Sequence, residues 1–282
     1  MSELPENFLF SQTSLQNWLT CQRRFELLYL RRLAYPAPET SDQLAYEVQM
    51  ERGEAFHHLA HQDLVGIERE VLARRIDDEV IAGWWARYAA SGLDELPERR
   101  YAEIELTAPL GGHRLVGKYD LLAVEAGEKM VIVDWKTSQK RPNRATLEAR
   151  MQTLLYPYLL VEGGAYYNGG EPIAPEQVEM VYWFTNYPAQ PERFGYDAAQ
   201  HERTHERLVE IVGAIAAERA FPKVPETEKA NICRFCNYRS LCWENVAAGA
   251  LVEMFAGTAE DDNEADLFDF EIDLDQIAEI EF

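Results

Sequence analysis

A short apolar segment that ends in two charged residues is the feature that most constrains the fold of this chain. Residues 130–137 read MVIVDWKT, so three branched apolar side chains precede Asp134 and Lys136. Branched apolar residues favour β-strands, and side chains two positions apart on a strand point to the same side. The sequence therefore predicts a buried strand of a sheet with a carboxylate and an ammonium group side by side at its end.

A second carboxylate, Asp120, lies late in another predicted strand, residues 115–124. If the two strands are neighbours, Asp120 and Asp134 meet at one end of the sheet. Carboxylate oxygens are the ligands that Mg²⁺ and Mn²⁺ prefer, and a nearby lysine can orient a water molecule or stabilise charge on a phosphate. The pattern suits phosphodiester hydrolysis, although an Asp-x-Lys pair is also an ordinary ion pair at a strand end.

The rest of the chain alternates between helical and strand-like periodicity. Helices are predicted over residues 11–32, 43–65, 67–90, 145–163 and 198–219. Ser14 is the predicted N-cap of the first helix. Further strands are predicted over 101–107 and 178–185. Strands in the middle of the chain with helices on either side indicate an α/β or α+β layered sheet.

The net charge of −22 is concentrated at the C-terminus. Residues 258–282 hold 11 acidic residues and no basic one, which leaves −11 for the remaining 257 residues. Basic clusters persist elsewhere: Arg23 and Arg24, Arg31 and Arg32, and Lys140, Arg141 and Arg144. We expect the acidic segment to be a flexible tail outside the core, with a docking peptide for a protein partner or a DNA mimic as the alternatives.

No sequence feature points to a membrane. The chain has no apolar run long enough to span a bilayer, and residues 1–14 lack the basic segment and apolar stretch of a secretory signal. A cytoplasmic protein is the expectation.

Several short motifs, taken in their order along the chain, resemble those of the RecB-like PD-(D/E)XK nucleases, the family of the RecB and AddB nuclease domains and the CRISPR-associated RecB-like exonucleases. They read GEAFHHL (53–59), AEIEL (102–106), LVGKYDLL (115–122), VIVDWKTS (131–138) and QTLLY (152–156). The resemblance implies an α/β restriction-endonuclease-like core with a mixed central sheet, helices on both faces and a helical cap. It also implies one nuclease domain over residues 1–257, with the sheet core at about 100–220.

The resemblance also implies a role for individual residues. Asp120 and Asp134 match the metal-binding carboxylates, assisted by His57, and Lys136 matches the catalytic lysine. The remaining matches are Glu103, the acidic residue near the site, and Gln152 and Tyr156, which flank the site and touch DNA. His58 or His61 could replace His57 as the ligand, and Glu105 competes with Glu103. Trp135 stands where the family often has Tyr, but no ligand is missing, so an active enzyme is expected.

Four cysteines form a single residue and a triplet: Cys21, Cys233, Cys236 and Cys242. Disulfides are disfavoured because nothing marks the protein as exported. A zinc site is an alternative, although structural zinc usually takes two cysteine pairs. The spacing is similar to the [4Fe-4S] site of AddB and the CRISPR-associated exonucleases, which implies an iron–sulfur cluster that joins residue 21 to residues 233–242.

The function that the resemblance implies is a Mg²⁺- or Mn²⁺-dependent deoxyribonuclease, an exonuclease on single-stranded DNA or DNA ends in repair and recombination. Aromatic side chains near the site (Trp135, Tyr156 and Tyr158) could stack on unpaired bases. The alternatives are a nuclease subunit that needs a helicase in trans, a CRISPR-adaptation exonuclease that acts with an integrase complex, and a non-catalytic DNA-binding module.

Overall fold

The fold is seen in a computed structural model that describes residues 4–33, 41–91, 95–233 and 236–243, without the side chains of 41–47. The chain divides into two compact units. The first comprises residues 1–46 and 210–282, and the second comprises residues 47–209. The prediction was of one nuclease domain over residues 1–257. The acidic segment 258–282, predicted to be a flexible tail, lies outside the described residues.

The described residues form six strands and ten α-helices. The strands are β1 (Leu9–Phe10), β2 (Arg99–Leu110), β3 (His113–Glu125), β4 (Lys129–Lys136), β5 (Val178–Phe184) and β6 (Glu192–Gly195). The helices are α1 (Gln12–Thr20), α2 (Gln22–Phe25), α3 (Ser41–Leu64), α4 (Arg69–Ala73), α5 (Glu79–Ala89), α6 (Arg144–Ala149), α7 (Met151–Gly163), α8 (Ala198–Ala217), α9 (Lys229–Ile232) and α10 (Arg239–Cys242). A π-helical turn, Glu26–Leu30, follows α2, and two 3₁₀ turns cover Ala165–Asn168 and Pro175–Gln177. None of these helices combines the length and the apolar character needed to cross a lipid bilayer.

The sheet of the second unit is mixed and runs in the order β2-β3-β4-β5-β6. β2, β3 and β4 are antiparallel neighbours, β4 and β5 are parallel, and β6 returns antiparallel to β5. Gly111 and Gly112 join β2 to β3 with φ angles of 53° and 84°, which suits a two-residue hairpin turn. The parallel β4–β5 connection needs a long crossover, which α6 and α7 supply.

Helices cover both faces of this sheet. On one face, α3, α4 and α5 pack on β3, β4 and β5 through a single apolar cluster. In α5 the buried residues Ile81, Trp84, Trp85 and Tyr88 follow helical spacing, and the Asp78 side chain caps the helix by accepting hydrogen bonds from the Val80 and Ile81 amides. On the other face α7 packs on β2, β3 and β5. The predicted mixed sheet flanked by helices is therefore confirmed.

Three helices that were predicted to be continuous are interrupted in the structure. The helix predicted over 11–32 is interrupted at Cys21, after which α2 and the π-helical turn follow. Its N-cap is Ser11, not Ser14. Ser14 instead occupies the third helical position and completes a capping box with Ser11. The helix predicted over 67–90 is α4 and α5 with a loop between them, and the one over 145–163 breaks at Arg150. Strand β6 was not predicted.

The first unit is built from both ends of the described chain. Trp18 packs edge to face on Phe221, with 6.1 Å between ring centroids. Near the triplet of cysteines, the Tyr238 hydroxyl donates to the Leu33 carbonyl at 2.8 Å. These contacts join the N-terminal helices to the C-terminal segment that carries Cys233, Cys236 and Cys242.

Gly163→Ala and Gly213→Ala are expected to change stability in opposite directions. A Cβ atom at Gly163, at the end of α7, would lie 2.7 Å from the Thr107 carbonyl oxygen of β2, so backbone must move. We expect a loss of about 1–3 kcal/mol in the free energy of unfolding. Gly213 lies exposed in α8 with open space around it, so alanine should add about 0.5–1 kcal/mol through helix propensity. Denaturant unfolding measures both, and a stabilised Gly163→Ala variant would contradict the close packing of α7 on β2.

Candidate active site

Asp120 and Asp134 lie at the same end of the paired stretch of β3 and β4. The ladder of Cα partners runs from Glu125 with Lys129 to Leu121 with Val133, so the two aspartates are the next residues along each strand. The backbone amide of Trp135 donates a hydrogen bond of 2.8 Å to Asp120 Oδ2. This bond ties the Asp120 carboxylate to the peptide that follows Asp134, and both carboxylates meet at one sheet end.

Asp134, Lys136 and Gln152 form one buried polar network. Lys136 Nζ lies 3.0 Å from Asp134 Oδ2 and donates to Gln152 Oε1 at 3.1 Å. The Gln152 amide group donates in turn to Asp134 Oδ1 at 2.5 Å. All three residues are at most 4% exposed. Buried charges persist when they are paired and hydrogen-bonded, so this network fixes the position of the lysine ammonium group.

His57, on α3, holds the other carboxylate. Its Nδ1 atom lies 3.2 Å from Asp120 Oδ1, and both side chains are about a quarter exposed. Burial raises the pKa of Asp120, but His57, the Trp135 amide and Lys136 together outweigh it and lower the pKa below its ordinary value. Asp120 is therefore an anion at neutral pH, and its side chain keeps an exposed fraction of 22%.

The alternative residues of the sequence analysis have different surroundings. His58 Nε2 contacts the Gln62 side chain at 3.1 Å. His61, one helical turn after His57, lies with its Nδ1 atom 3.8 Å from Glu103 Oε2. Lys118 Nζ lies 3.6 Å from the same Glu103 oxygen. His57 is thus the histidine that contacts Asp120, and His61 lies next to Glu103.

Glu103 has a backbone conformation that the surrounding sequence does not predict. The β2–β3 ladder pairs Ala102 with Leu121 and resumes with Ile104 and Tyr119, which leaves Glu103 opposite Asp120. Its φ angle is 48°, in the left-handed region that residues other than glycine rarely adopt. Backbone of this kind costs of order 1–3 kcal/mol and is concentrated at functional sites.

The alternation of side chains along β3 breaks at the same point. The Tyr119 hydroxyl donates to the Tyr156 carbonyl of α7, whereas Leu121 packs into the cluster under α3–α5 on the opposite face. Two positions apart, they would share a face in a regular strand. The break turns Asp120 toward His57 of α3. No residue pattern in β3 signals this break, and it was not predicted.

Gln152 and Tyr156 share the face of α7 that packs against the sheet. Tyr156 is 5% exposed, and its ring lies 4.9 Å from the Tyr119 ring. A Cβ at Gly117 would lie 3.1 Å from the same ring, so this glycine lets α7 approach β3 closely. In the described structure both side chains are buried between α7 and the sheet, so they support the site and expose little surface for contact with DNA.

The expectation that Trp135, Tyr156 and Tyr158 stack on unpaired bases is wrong for the described structure. Their exposed fractions are 2%, 5% and 1%. Trp135 faces the apolar cluster under α3–α5, and the Tyr158 hydroxyl is hydrogen-bonded to His205 at 2.8 Å. These rings therefore contribute to the packing of the core.

The donor set at the sheet end fits a divalent cation by its chemistry. Carboxylate oxygens are the ligands that Mg²⁺ and Mn²⁺ prefer, and the lowered pKa of Asp120 keeps its carboxylate charged. Among the described residues, no three His, Cys, Asp or Glu side chains already stand in an arrangement that would hold a metal ion. His57, Lys136 and Gln152 engage the carboxylate oxygens instead, so an ion would have to exchange some of these contacts for its own.

All four cysteines belong to the first unit and carry free thiols. Cys21 separates α1 from α2, and Cys242 ends α10. Cys236 forms a buried cluster with Leu27 and Tyr238, and Cys242 packs against that cluster. Cys21 interacts electrostatically with each cysteine of the triplet. Burial raises the pKa of Cys236 to about 11, so a metal that binds it must displace a proton. The chain thus gathers four thiols from both of its ends in one region.

Comparison with known proteins places the chain in a family. No curated protein matches its sequence. Among solved structures, a candidate exonuclease from Eubacterium rectale covers 90% of this chain and 94% of its own, at 9% identity and a TM-score of 0.49. The structure of the protein SSO0001 covers 87% and 91%, at 12% identity and a TM-score of 0.38. The sequence model of the PD-(D/E)XK nuclease superfamily matches residues 9–243, and the chain belongs to this superfamily.

Proposed function

We propose that this chain is a divalent-metal-dependent deoxyribonuclease of the RecB-like type, an exonuclease that acts on single-stranded DNA or DNA ends in repair and recombination. The observation that carries the proposal is the meeting of Asp120 and Asp134 at one sheet end with Lys136 fixed beside them. Membership of the PD-(D/E)XK nuclease superfamily supports hydrolysis of a phosphodiester as the chemistry.

In this proposal Asp120, Asp134 and His57 would hold Mg²⁺ or Mn²⁺. When bound, the ion supplies Lewis acidity toward a phosphate oxygen and lowers the pKa of a water molecule. Lys136 orients the attacking water or donates hydrogen bonds to the phosphate as its negative charge grows. Gln152 holds the Lys136 ammonium at 3.1 Å, so the lysine needs no reorganisation during the reaction.

Basic residues that follow the site along the chain support an anionic polymer as the substrate. Arg141 and Arg144 both pair with Glu192, and the Arg144 side chain remains 55% exposed. Lys140 is exposed beside them. Phosphate contacts need such cations, and in a chain with a net charge of −22 a local cluster of this kind would supply the attractive field. We propose that this cluster contacts the DNA backbone.

We further propose that Cys21, Cys233, Cys236 and Cys242 bind a [4Fe-4S] cluster in the first unit. Four thiolates from a single residue and a triplet suit this cofactor chemically. All four thiols are buried or half-buried in the first unit, and Cys21 interacts electrostatically with each cysteine of the triplet, which supports the set as one site. Its role is structural, because it joins segments more than two hundred residues apart in sequence.

The proposed activity is tested on the full chain purified without oxygen. Single-stranded oligonucleotides labelled at the 5′ or the 3′ end, and the matching duplexes, are incubated with Mg²⁺, Mn²⁺ or a chelator. We expect degradation that requires the metal, proceeds from one end and is faster on single strands. Absence of cleavage with every substrate and metal would refute the enzyme. Cleavage of closed circles at the same rate as linear strands would refute the exonuclease.

A further inference from the structure

A row of aromatic side chains on β5 and β6 carries the Lys136 ammonium group and two guanidinium groups. This aromatic row consists of Tyr182, Phe184 and Phe194. Lys136 Nζ lies 5.6 Å from the centre of the Tyr182 ring, and Phe184 is the Cα partner of Lys136 in the β4–β5 ladder. The Arg141 guanidinium lies over the Phe184 ring at 5.9 Å. That of Arg144 lies over the Phe194 ring at 4.3 Å. The three cations therefore lie on one face of the sheet.

A single carboxylate, Glu192 on β6, binds both guanidinium groups. Its Oε1 atom accepts a hydrogen bond from Arg141, and its Oε2 atom accepts one of 2.8 Å from Arg144. Glu192 is the Cα partner of Tyr182, so it lies on the same face as the aromatic row. Its side chain is 14% exposed, whereas that of Arg144 is 55% exposed. The two arginines are thus open to solvent on one side and held by a carboxylate on the other.

We propose that Arg141 and Arg144 form the binding site of a DNA backbone phosphate close to the scissile bond, and that Glu192 is an internal competitor which the DNA strand displaces. A carboxylate and a phosphodiester carry the same single charge, and both accept paired hydrogen bonds from guanidinium groups. This inference rests on the proposed nuclease function, because Lys136 then marks the position of the scissile bond.

The test measures the affinity for a fluorescently labelled single-stranded oligonucleotide in buffer without divalent cations, so that DNA binds without being hydrolysed. Glu192→Gln keeps the size of the side chain and removes its charge. We expect it to bind about threefold to tenfold more tightly than the wild type, because DNA no longer breaks two ion pairs, each worth up to about fivefold in an equilibrium constant.

Arg144→Met tests the same phosphate site without altering Glu192. We expect its affinity to be about fivefold weaker at about 0.1 M salt, which is the contribution of one phosphate contact on a single strand. Its plot of log affinity against log salt concentration should also be shallower by about 0.7. Denaturant unfolding shows whether each variant is folded.

The matched control is Glu179→Gln. Glu179 also pairs with two cations, Lys129 at 2.8 Å and Arg193 at 3.3 Å, and its side chain is 19% exposed. It lies on β5 five residues before Phe184, so it is about 17 Å away and on the opposite face of the sheet. Glu179→Gln should bind DNA as the wild type does, because it removes the same charge without freeing Arg141 or Arg144.

A second comparison separates competition from a general effect of charge. In a protein that already carries Arg141→Met and Arg144→Met, Glu192→Gln should tighten binding by less than about twofold, because no guanidinium group remains to be released. Wild-type affinity in Glu192→Gln, or an equal gain in Glu179→Gln or in the double-arginine variant, would overturn the role of Glu192. The nuclease would still stand if the wild type cleaves DNA with Mg²⁺ or Mn²⁺. A wild type that neither binds nor cleaves DNA would refute the proposed function and this inference together.

Discussion

Lys136→Ala should lower the rate of DNA hydrolysis by roughly 10²–10³-fold, the usual cost of removing one donor that stabilises charge in a transition state. The Lys136 ammonium group is held by Asp134 at 3.0 Å and Gln152 at 3.1 Å. Alanine therefore removes a positive charge that this network fixes beside the carboxylates. The rate is measured with saturating Mg²⁺ or Mn²⁺ on an end-labelled single strand. We expect the loss in kcat, with KM nearly unchanged.

The matched control is Lys129→Ala. Lys129 begins the same strand that Lys136 ends, seven residues or about 23 Å away at the usual strand rise, and its side chain is 50% exposed. It should retain wild-type activity. Because Lys136→Ala also leaves Asp134 buried with less compensation, its fold is checked by denaturant unfolding and its DNA affinity by fluorescence anisotropy. A folded Lys136→Ala protein that binds DNA normally and cleaves it at the wild-type rate would remove Lys136 from the mechanism.

The sheet was predictable because its signals are local. Branched apolar runs set β3, β4 and β5, the two glycines at 111 and 112 set the β2–β3 turn, and pairing then brings Asp120 to Asp134. The short strand β6 was missed because four residues hold too little periodicity to stand out from a loop. The helix breaks at Cys21 and Arg150 were missed because the backbone is extended there without a glycine or proline to mark it.

The backbone features that orient the side chains of the candidate site could not be predicted from local sequence patterns. Glu103 stands at a φ of 48° without a glycine, and β3 changes the face of its side chains at Asp120 with no accompanying residue signal. Whether an aromatic residue near a strand end lines a groove or fills a core depends on which helix covers it. For Trp135 that helix layer is α3–α5, and the ring is buried.

Cys21→Ala should abolish the proposed cluster and weaken the first unit. The anaerobic wild-type protein is expected to be brown and to contain about four iron atoms and four sulfide ions per chain, as a [4Fe-4S] cluster requires. In the proposed cluster, Cys21 is the ligand that would link the N-terminal helices to the triplet at 233–242. Its loss opens a closed loop of more than two hundred residues, whose closure contributes roughly 5 kcal/mol in the simple chain-entropy model. We expect colourless protein and a lower midpoint of denaturation.

The matched control for Cys21→Ala is Thr20→Ala, one position earlier, where an exposed hydroxyl donates only to the Gln16 carbonyl of its own helix. That variant should remain brown and nearly as stable as the wild type. Cys21→Ala should retain metal-dependent nuclease activity wherever the second unit stays folded, because every residue of the proposed active site lies within residues 47–209. A colourless wild type with one zinc per chain would exclude iron and sulfide as the cofactor. A brown Cys21→Ala protein with full iron content would show that the cluster, if present, does not use Cys21 and closes no loop between the two ends of the chain.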